Sequence, residues 1–304
     1  MLIKQLFCDL NRAAPVTNPF DYIVAFSRNI GWLSVQEQER LKKARVAIAG
    51  LGGVGGSHLL TLARLGVEKF NIADFDYFEL QNFNRQAGAT LSNIGQAKTS
   101  VLARMAQDIN PDLELRVFPD GVRPDNVDTF LDNVDIYVDG IDFFAIEARR
   151  LVFAACHQRG VPAVTAAPLG MGAALLYFKP GGMSFEDYFR LEGQSRQEQL
   201  AHFIVGLAPR MLQQSYLVEP GAVNFREERG PSTAMACDLC AGMMGSEVLK
   251  ILLKRGPVRS APWGIHYDAY RQKLAYTWRP FGNANPLQRL LLGFIRRRLS
   301  NLLP

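Results

Sequence analysis

The amino-acid sequence predicts a single-sheet α/β fold, doubly wound, with parallel strands in its N-terminal part and antiparallel strands toward its C-terminus. Three observations carry this. The stretch "RVAIAGLGGVGGSHLLTLARLGVEKFNIAD", from Arg45 to Asp74, reads as a strand, a glycine-rich turn, a helix and a second strand closed by an acidic residue. Apolar runs of strand length then alternate with helical patterns, which is how parallel βαβ units are written. After "TAAPLGMGAALLYFKPGG" (165–182) that rhythm stops, because "AALLYF" is a strand that doubles back through glycines.

Taken in order, residues 1–44 form an N-terminal arm and a helix, "SVQEQERLKKA", with Ser34 at the N-cap and Glu37 at the capping-box position. Residues 45–180 make the Rossmann-like region. Its strands are expected at Val46–Ala49, Lys69–Ala73, Leu113–Phe118, Val134–Val138 and Val161–Thr165, and its helices near 54–65, 95–109, 123–131 and 143–158. Residues 181–283 hold a polar insertion near 184–230, a closing helix near 238–254 and two strands near 264–268 and 273–278, all belonging to the same domain. Residues 284–304 form a basic amphipathic helix. No internal repeat or low-complexity segment interrupts this order.

Composition narrows the function classes. A chain of 304 residues with 48% apolar content can bury a sizeable core. The formal charge of +5 is mild and its basic residues are scattered, so a nucleic-acid partner is permitted without being demanded, and an anionic small molecule suits the chain as well. Four cysteines and an opening, "MLIKQLFCDLNRAAP", without a basic-then-apolar leader predict a reducing compartment, by default the cytoplasm. No apolar run approaches the ~18 residues that span a bilayer.

Gly50, Gly52, Gly53 and Gly55 lie between strand and helix, where absent side chains let the backbone turn tightly and bring N–H groups to a phosphate. Asp74, at the end of the second strand, stands where a carboxylate binds ribose hydroxyls. This much suits NAD and ATP equally, and a tightly packed turn without a ligand is the plain alternative. The continuation separates them. "DFDYFELQNFNRQ", "GQAK" and "VDGID" aim polar groups at strand C-terminal ends: Arg85 and Lys98 as cations for a triphosphate, Asn82 as a neutral donor, and Asp142 as a carboxylate for Mg²⁺. Singly, each reads as a solvated surface residue; jointly, around one crevice, they favour ATP.

These residues resemble the ThiF/MoeB/HesA superfamily, the bacterial relatives of ubiquitin-activating enzymes. The family pattern has a G-x-G-G-x-G turn, a D-x-D, an N-x-x-R-Q or N-x-N-R-Q run, a G-x-x-K and a D-x-x-D at a later strand end. Here they read Gly50 to Gly55, Asp74 and Asp76, Asn82 to Gln86, Gly95 to Lys98, and Asp139 to Asp142, over roughly residues 25–180. The resemblance implies ATP-dependent adenylation of a carboxylate, typically the C-terminal glycine of a ubiquitin-like or sulfur-carrier protein, with loss of pyrophosphate. It assigns nucleotide binding to the glycine turn, Asp74 and Asp76, phosphate contacts to Asn82, Arg85 and Lys98, and Mg²⁺ to Asp142. It also implies a homodimer in which Arg28, in "FSRNI", reaches the partner subunit's site; an ordinary surface arginine is the alternative.

The pattern departs from the family in the second half. Family members bind structural zinc through two C-x-x-C pairs, whereas this chain has one, Cys237 and Cys240, with Cys8 and Cys156 distant, so zinc is not expected. At a helix N-terminus that pair reads as buried apolar residues or as reactive thiols, Cys237 being the candidate for covalent chemistry. In "SYLVEPGAV", Leu217 stands where thioester-forming members carry cysteine. Phe185, Tyr188, Phe189 and Phe203 in the insertion are expected either as a lid or acceptor groove, or as core filling. The final helix, with Arg289 and Arg296 to Arg298, suits an anionic membrane surface, a partner, or its own domain.

Other readings stay open. The "NFNRQ" spelling and "RPDNVDTFL" (123–131) are similar to tRNA threonylcarbamoyladenosine dehydratases, a second ATP-using function of the same superfamily. An NAD-dependent dehydrogenase would leave Arg85, Lys98 and Asp142 without a purpose, and a nucleotide-binding scaffold without catalysis would not need the whole set.

Overall fold

A computed structural model describes residues 20–224 and 227–300. One eight-stranded mixed sheet organises them, in the order β3-β2-β1-β4-β5-β6-β7-β8. The strands are β1 Arg45–Ala49, β2 Lys69–Ala73, β3 Glu114–Phe118, β4 Ile136–Asp139, β5 Ala163–Leu169, β6 Gly172–Phe178, β7 Trp263–Asp268 and β8 Lys273–Trp278. Pairs from β3 through β5 are parallel and those from β5 through β8 antiparallel. The change of direction occurs at the Gly170–Met171 turn, as the glycines around "LGMG" require.

We number the helices of two turns or more. They are α1 Val35–Lys43, α2 Gly53–Arg64, α3 Lys98–Ile109, α4 Ile146–Arg159, α5 Arg196–Leu207, α6 Ala234–Leu253 and α7 Pro286–Ser300. Ser34 and Glu37 close the expected capping box on α1. The expected helix at 123–131 contracts to one turn, Val127–Phe130. Pro124 disfavours helical backbone at Arg123, and Asn126 instead accepts the Arg123 N–H at 2.7 Å and donates to the Gly121 carbonyl at 3.0 Å. The closing helix starts at Ala234, a turn earlier than its apolar pattern indicates.

Strands β1 and β4 are buried along their whole length, because helices cover both faces. On one face, Val46, Ile48, Phe70, Ile72 and Val138 pack with residues of α2, α3 and α6. On the other, Ala47, Ala49 and Tyr137 pack with α4 and the insertion. Phe185, Tyr188, Phe189 and Phe203 are all buried there. Phe185 stacks on Phe153 at 4.5 Å, and Phe189 lies 5.1 Å from Phe203. The insertion's aromatics are therefore core, and the lid reading of them falls: aromatic rings this size gain more from mutual burial than they would at a wet crevice.

Helix α7 puts its main apolar face on its own domain. Leu291, Leu292 and Ile295 meet Ala201, Ile204 and Val205 of α5. Gln288 donates to the Val205 carbonyl at 3.2 Å, and Arg296 pairs with Glu198 at 2.7 Å. The side chains of Arg297 and Arg298, like Cys8, lie outside the described residues. Among those described, no helix is long and apolar enough to cross a membrane.

Candidate functional site

Strand β1 pairs with β2 on one side and β4 on the other, so the chain leaves their C-terminal ends in opposite directions and opens a crevice there. The glycine turn lines it, and its glycines do two different jobs. Gly50 has φ +81°, and a Cβ on it would lie 2.2 Å from the Gly140 carbonyl oxygen. A Cβ on Gly55 would lie 1.7 Å from the Gly50 carbonyl oxygen, and one on Gly140 2.3 Å from the same atom. Gly50, Gly55 and Gly140 thus interlock three backbones. Gly52 and Gly53 meet side chains rather than backbone: a Cβ on Gly52 would meet Gln86 Nε2 at 3.6 Å, and one on Gly53 would meet Cys237 Sγ at 3.2 Å and Arg85 Cδ at 3.8 Å. Gly52 caps α2 without any side-chain bond, so the first N–H groups of α2 are left for a ligand.

Asp74 is buried at the end of β2. Its Oδ2 accepts the Leu51 N–H at 2.6 Å and its Oδ1 the Asp76 N–H at 2.7 Å. Burial raises its pKa, opposed by the nearby Lys98. Lys98 is the first residue of α3, 5% exposed, with Nζ 2.8 Å from Asp76 Oδ2. An ammonium holds three protons, so this bond leaves donors toward the crevice. Asn82 is buried and uses Oδ1 to accept the Glu79 N–H at 2.9 Å. Arg85 donates through Nη1 to the Gln81 carbonyl at 3.1 Å and to Asn84 Oδ1 at 2.8 Å.

Asp142 is exposed just past β4, its Oδ1 accepting the Phe144 N–H at 2.9 Å. A residue absent from the sequence reading sets this turn: Arg149 of α4, 3% exposed. It donates to Asp139 Oδ2 at 2.8 Å, to the Asp142 carbonyl at 3.2 Å and to the Ile141 carbonyl, and lies over the Phe203 ring at 4.6 Å. Thr165 also donates to Asp139, at 2.7 Å. The first aspartate of the D-x-x-D is thus a buried anchor and only the second faces solvent. A carboxylate closing the apolar strand "DIYVD" was a signal that some cation must be buried beside it.

Gln86 was read only as the end of a motif. Its side chain is 8% exposed, it touches the glycine turn, and Oε1 has no hydrogen-bond partner among the described residues. Arg28, in contrast, is exposed on the turn Ser27–Asn29, whose Asn29 donates to the Leu65 carbonyl at the far end of α2. A 12-residue helix separates it from the glycine turn, about 18 Å. Arg28 does not join its own chain's crevice.

Cys237 and Cys240 sit at the start of α6 inside the core, and burial raises both thiol pKa values. They are thiols in an apolar setting, without the electropositive exposure of a reactive cysteine. Among the described residues, no three His, Cys, Asp or Glu side chains group as metal ligands. Leu217 follows the turn Leu212–Tyr216, half-buried.

The segment leading into α6 closes one side of the crevice. The Ser232 carbonyl accepts from Asn84 Nδ2 at 2.8 Å, Thr233 Oγ1 donates to the Gly170 carbonyl at 2.9 Å, and Arg196 pairs with Glu228 at 2.6 Å while also reaching the Phe144 carbonyl. The donor set fits a nucleotide triphosphate with a divalent cation: uncapped amides, an arginine and a lysine for phosphates, an orphaned amide at the turn, and an exposed carboxylate for the metal.

Comparison with known proteins gives the same family as the motifs. The ThiF family model matches residues 26–289. The vegetative HesA protein of Trichormus variabilis is 36% identical over 146 residues, which are 48% of this chain and 54% of that protein. The tRNA threonylcarbamoyladenosine dehydratase of Escherichia coli K12 is 34% identical over 127 residues, 42% of this chain and 47% of that enzyme. The chain spans about half the length of the curated relatives it matches. Among solved structures, E. coli MccB with ATP superposes with a TM-score of 0.61 and 23% identity, over 85% of this chain and 73% of that one, a likeness of fold.

Proposed function

The chain belongs to the ThiF family, and we propose that it is an ATP-dependent adenylyltransferase that activates a carboxylate, most simply the C-terminal glycine of a ubiquitin-like or sulfur-carrier protein. What supports this reading is that the uncapped α2 N-terminus, Arg85 beside Gly53, Lys98 bonded to Asp76 just after β2, and Asp142 just past β4 all stand at the C-terminal ends of neighbouring parallel strands. ATP supplies the activated α-phosphorus and the pyrophosphate leaving group. The chain's residues bind and neutralise: α2 amides, Arg85 and Lys98 hold phosphate oxygens, Asp74 holds ribose hydroxyls, and Asp142 orients Mg²⁺. Charge that grows on phosphate oxygens during attack is stabilised by these fixed cations. A general base is unnecessary, because a carboxylate nucleophile is already ionised. With Leu217 at the position a thioester cysteine would take, the activated acyl group passes directly to a sulfur donor or an amine.

A second reading has its own support. Identity to the E. coli tRNA dehydratase is nearly that to HesA, and the charge of +5 permits a tRNA acceptor. ATP–pyrophosphate exchange with each acceptor separates the two. Exchange that requires a Gly-Gly-ended protein supports the first, exchange that requires threonylcarbamoyl-modified tRNA the second, and NAD affinity without ATP binding overturns both.

We further propose a homodimer with Arg28 acting in the partner's site. Ile23, Val24 and Trp32 beside Arg28 are 77%, 70% and 85% exposed, and Phe75, Leu80 and Leu91 near the crevice are 70%, 68% and 80% exposed. Apolar surface of this extent suits burial against a second copy.

A further inference from the structure

The phosphate-facing Arg85 and the segment entering α6 are joined through one side chain. Asn84 Oδ1 accepts from Arg85 Nη1 at 2.8 Å, while Asn84 Nδ2 donates to the Ser232 carbonyl at 2.8 Å. Both ends of the amide are therefore engaged, one on the cation and one on the backbone that borders the crevice. The backbone beside Ser232 is itself held: the next residue, Thr233, spends its hydroxyl on the Gly170 carbonyl at 2.9 Å rather than on capping α6.

From this arrangement we propose that Asn84 is a positioning residue: it holds the Arg85 guanidinium for the nucleotide phosphates and ties that guanidinium to the backbone at Ser232, so that nucleotide binding and the placement of Glu227–Thr233 are one event. This inference rests on the nucleotide reading above. The physical basis is the polarity of the amide. A cation on its oxygen draws electron density from the nitrogen and strengthens the N–H donor, so the two bonds reinforce each other. A phosphate that engages the free donors of Arg85 holds the guanidinium still, and through Asn84 the Ser232 carbonyl with it. The fork geometry of the guanidinium allows this, since Nη1 serves Asn84 and Gln81 while Nη2 and Nε remain for phosphate oxygens.

The test is hydrogen exchange of backbone amides in residues 227–236 of the whole chain, with and without a non-hydrolysable ATP analogue and Mg²⁺. In the wild type the analogue should slow exchange there about tenfold, which corresponds to about 1.4 kcal/mol. Asn84→Ala should bind the analogue more weakly, measured calorimetrically, yet lose the slowing even when saturated with it. Asn84→Asp keeps the acceptor for Arg85 but sets a carboxylate oxygen against the Ser232 carbonyl, so it should lose the slowing as well. Equal slowing in wild type and both variants would overturn the inference and leave nucleotide binding intact. Loss of binding in both variants would overturn it too, by making Asn84 a ligand. No binding to the wild type would instead overturn the nucleotide reading, and the inference with it.

Discussion

Gly55 lies so close to Gly50 that a single methyl group between them has no room: a Cβ on Gly55 would sit 1.7 Å from the Gly50 carbonyl oxygen. Both atoms belong to backbone held by its neighbours, since Gly50 donates to the Ala73 carbonyl at 2.8 Å and Gly140 presses from the other side. Gly55→Ala should therefore destabilise by roughly 3 kcal/mol or more, at the upper end for overpacking. Gly53→Ala meets only the Cys237 and Arg85 side chains. It should lose far less thermal stability than Gly55→Ala and bind ATP more weakly. Thermal melting and nucleotide titration on the two variants check the contrast, and equal melting points would refute the division of roles among the glycines.

Arg149→Met leaves the Asp139 carboxylate buried with hydroxyl and amide partners but no cation. Stranding a buried charge costs about 3–5 kcal/mol, and denaturant unfolding should register a loss of that order. The double variant Asp139→Asn/Arg149→Met should recover part of it, because the stranded charge is gone. A double variant as unstable as the sum of the singles would show that the pair does not interact.

If Lys98 contacts the transferring phosphate, Lys98→Ala should slow pyrophosphate exchange by an amount equal to about 3–4 kcal/mol of transition-state stabilisation. Mixing it with Arg28→Ala examines the trans site. Each homodimer is impaired, whereas a mixed dimer carries one crevice with both an intact Lys98 and an intact partner Arg28. Recovered activity on mixing is the expected result, and none after verified subunit exchange would count against Arg28.

Two histidines predict how stability follows pH. Burial lowers the His58 pKa to about 3 and that of His266 to about 4, the latter opposed by Asp268. Both ring nitrogens of each lack hydrogen-bond partners among the described residues. Below the unfolded value of 6.5 the unfolded chain binds protons that the folded chain refuses. Their contribution is thus complete above pH 6.5 and is lost as pH falls toward about 3 and 4, at about 1.4 kcal/mol per pH unit for each histidine. Replacing His58 with Leu should flatten the decline of unfolding free energy between pH 6.5 and 4. An unchanged slope would mean that His58 titrates in the folded protein.

The fold class was written in the sequence because each of its signals is local. "RVAIA" and "KFNIA" are buried on both faces and so are mostly apolar without strict alternation, and "LGMG" places the reversal between β5 and β6 by backbone freedom alone. The residues lining the crevice were legible for the same reason. Asp74, Lys98 and Asp142 stand at element ends that periodicity can find, and open α/β sheets expose those ends at one edge.

What only the tertiary structure decided are matters of distance between segments remote in sequence. Sequence counts Gly50, Gly52, Gly53 and Gly55 as one motif, yet close backbone packing around Gly140 makes Gly50 and Gly55 structural and leaves Gly52 and Gly53 against side chains only. It could not tell whether Phe185, Tyr188, Phe189 and Phe203 cover a ligand or fill a core, since an aromatic residue serves both and only its neighbours differ. It chose Asp142 for the cation and left Asp139 as a motif position without a role, and only the packing of Arg149 from the next helix shows that Asp139 is consumed in holding the turn while Asp142 stays in solvent. Local chemistry specifies which groups a chain offers; long-range packing specifies which of them are consumed in holding the fold and which stay free to act.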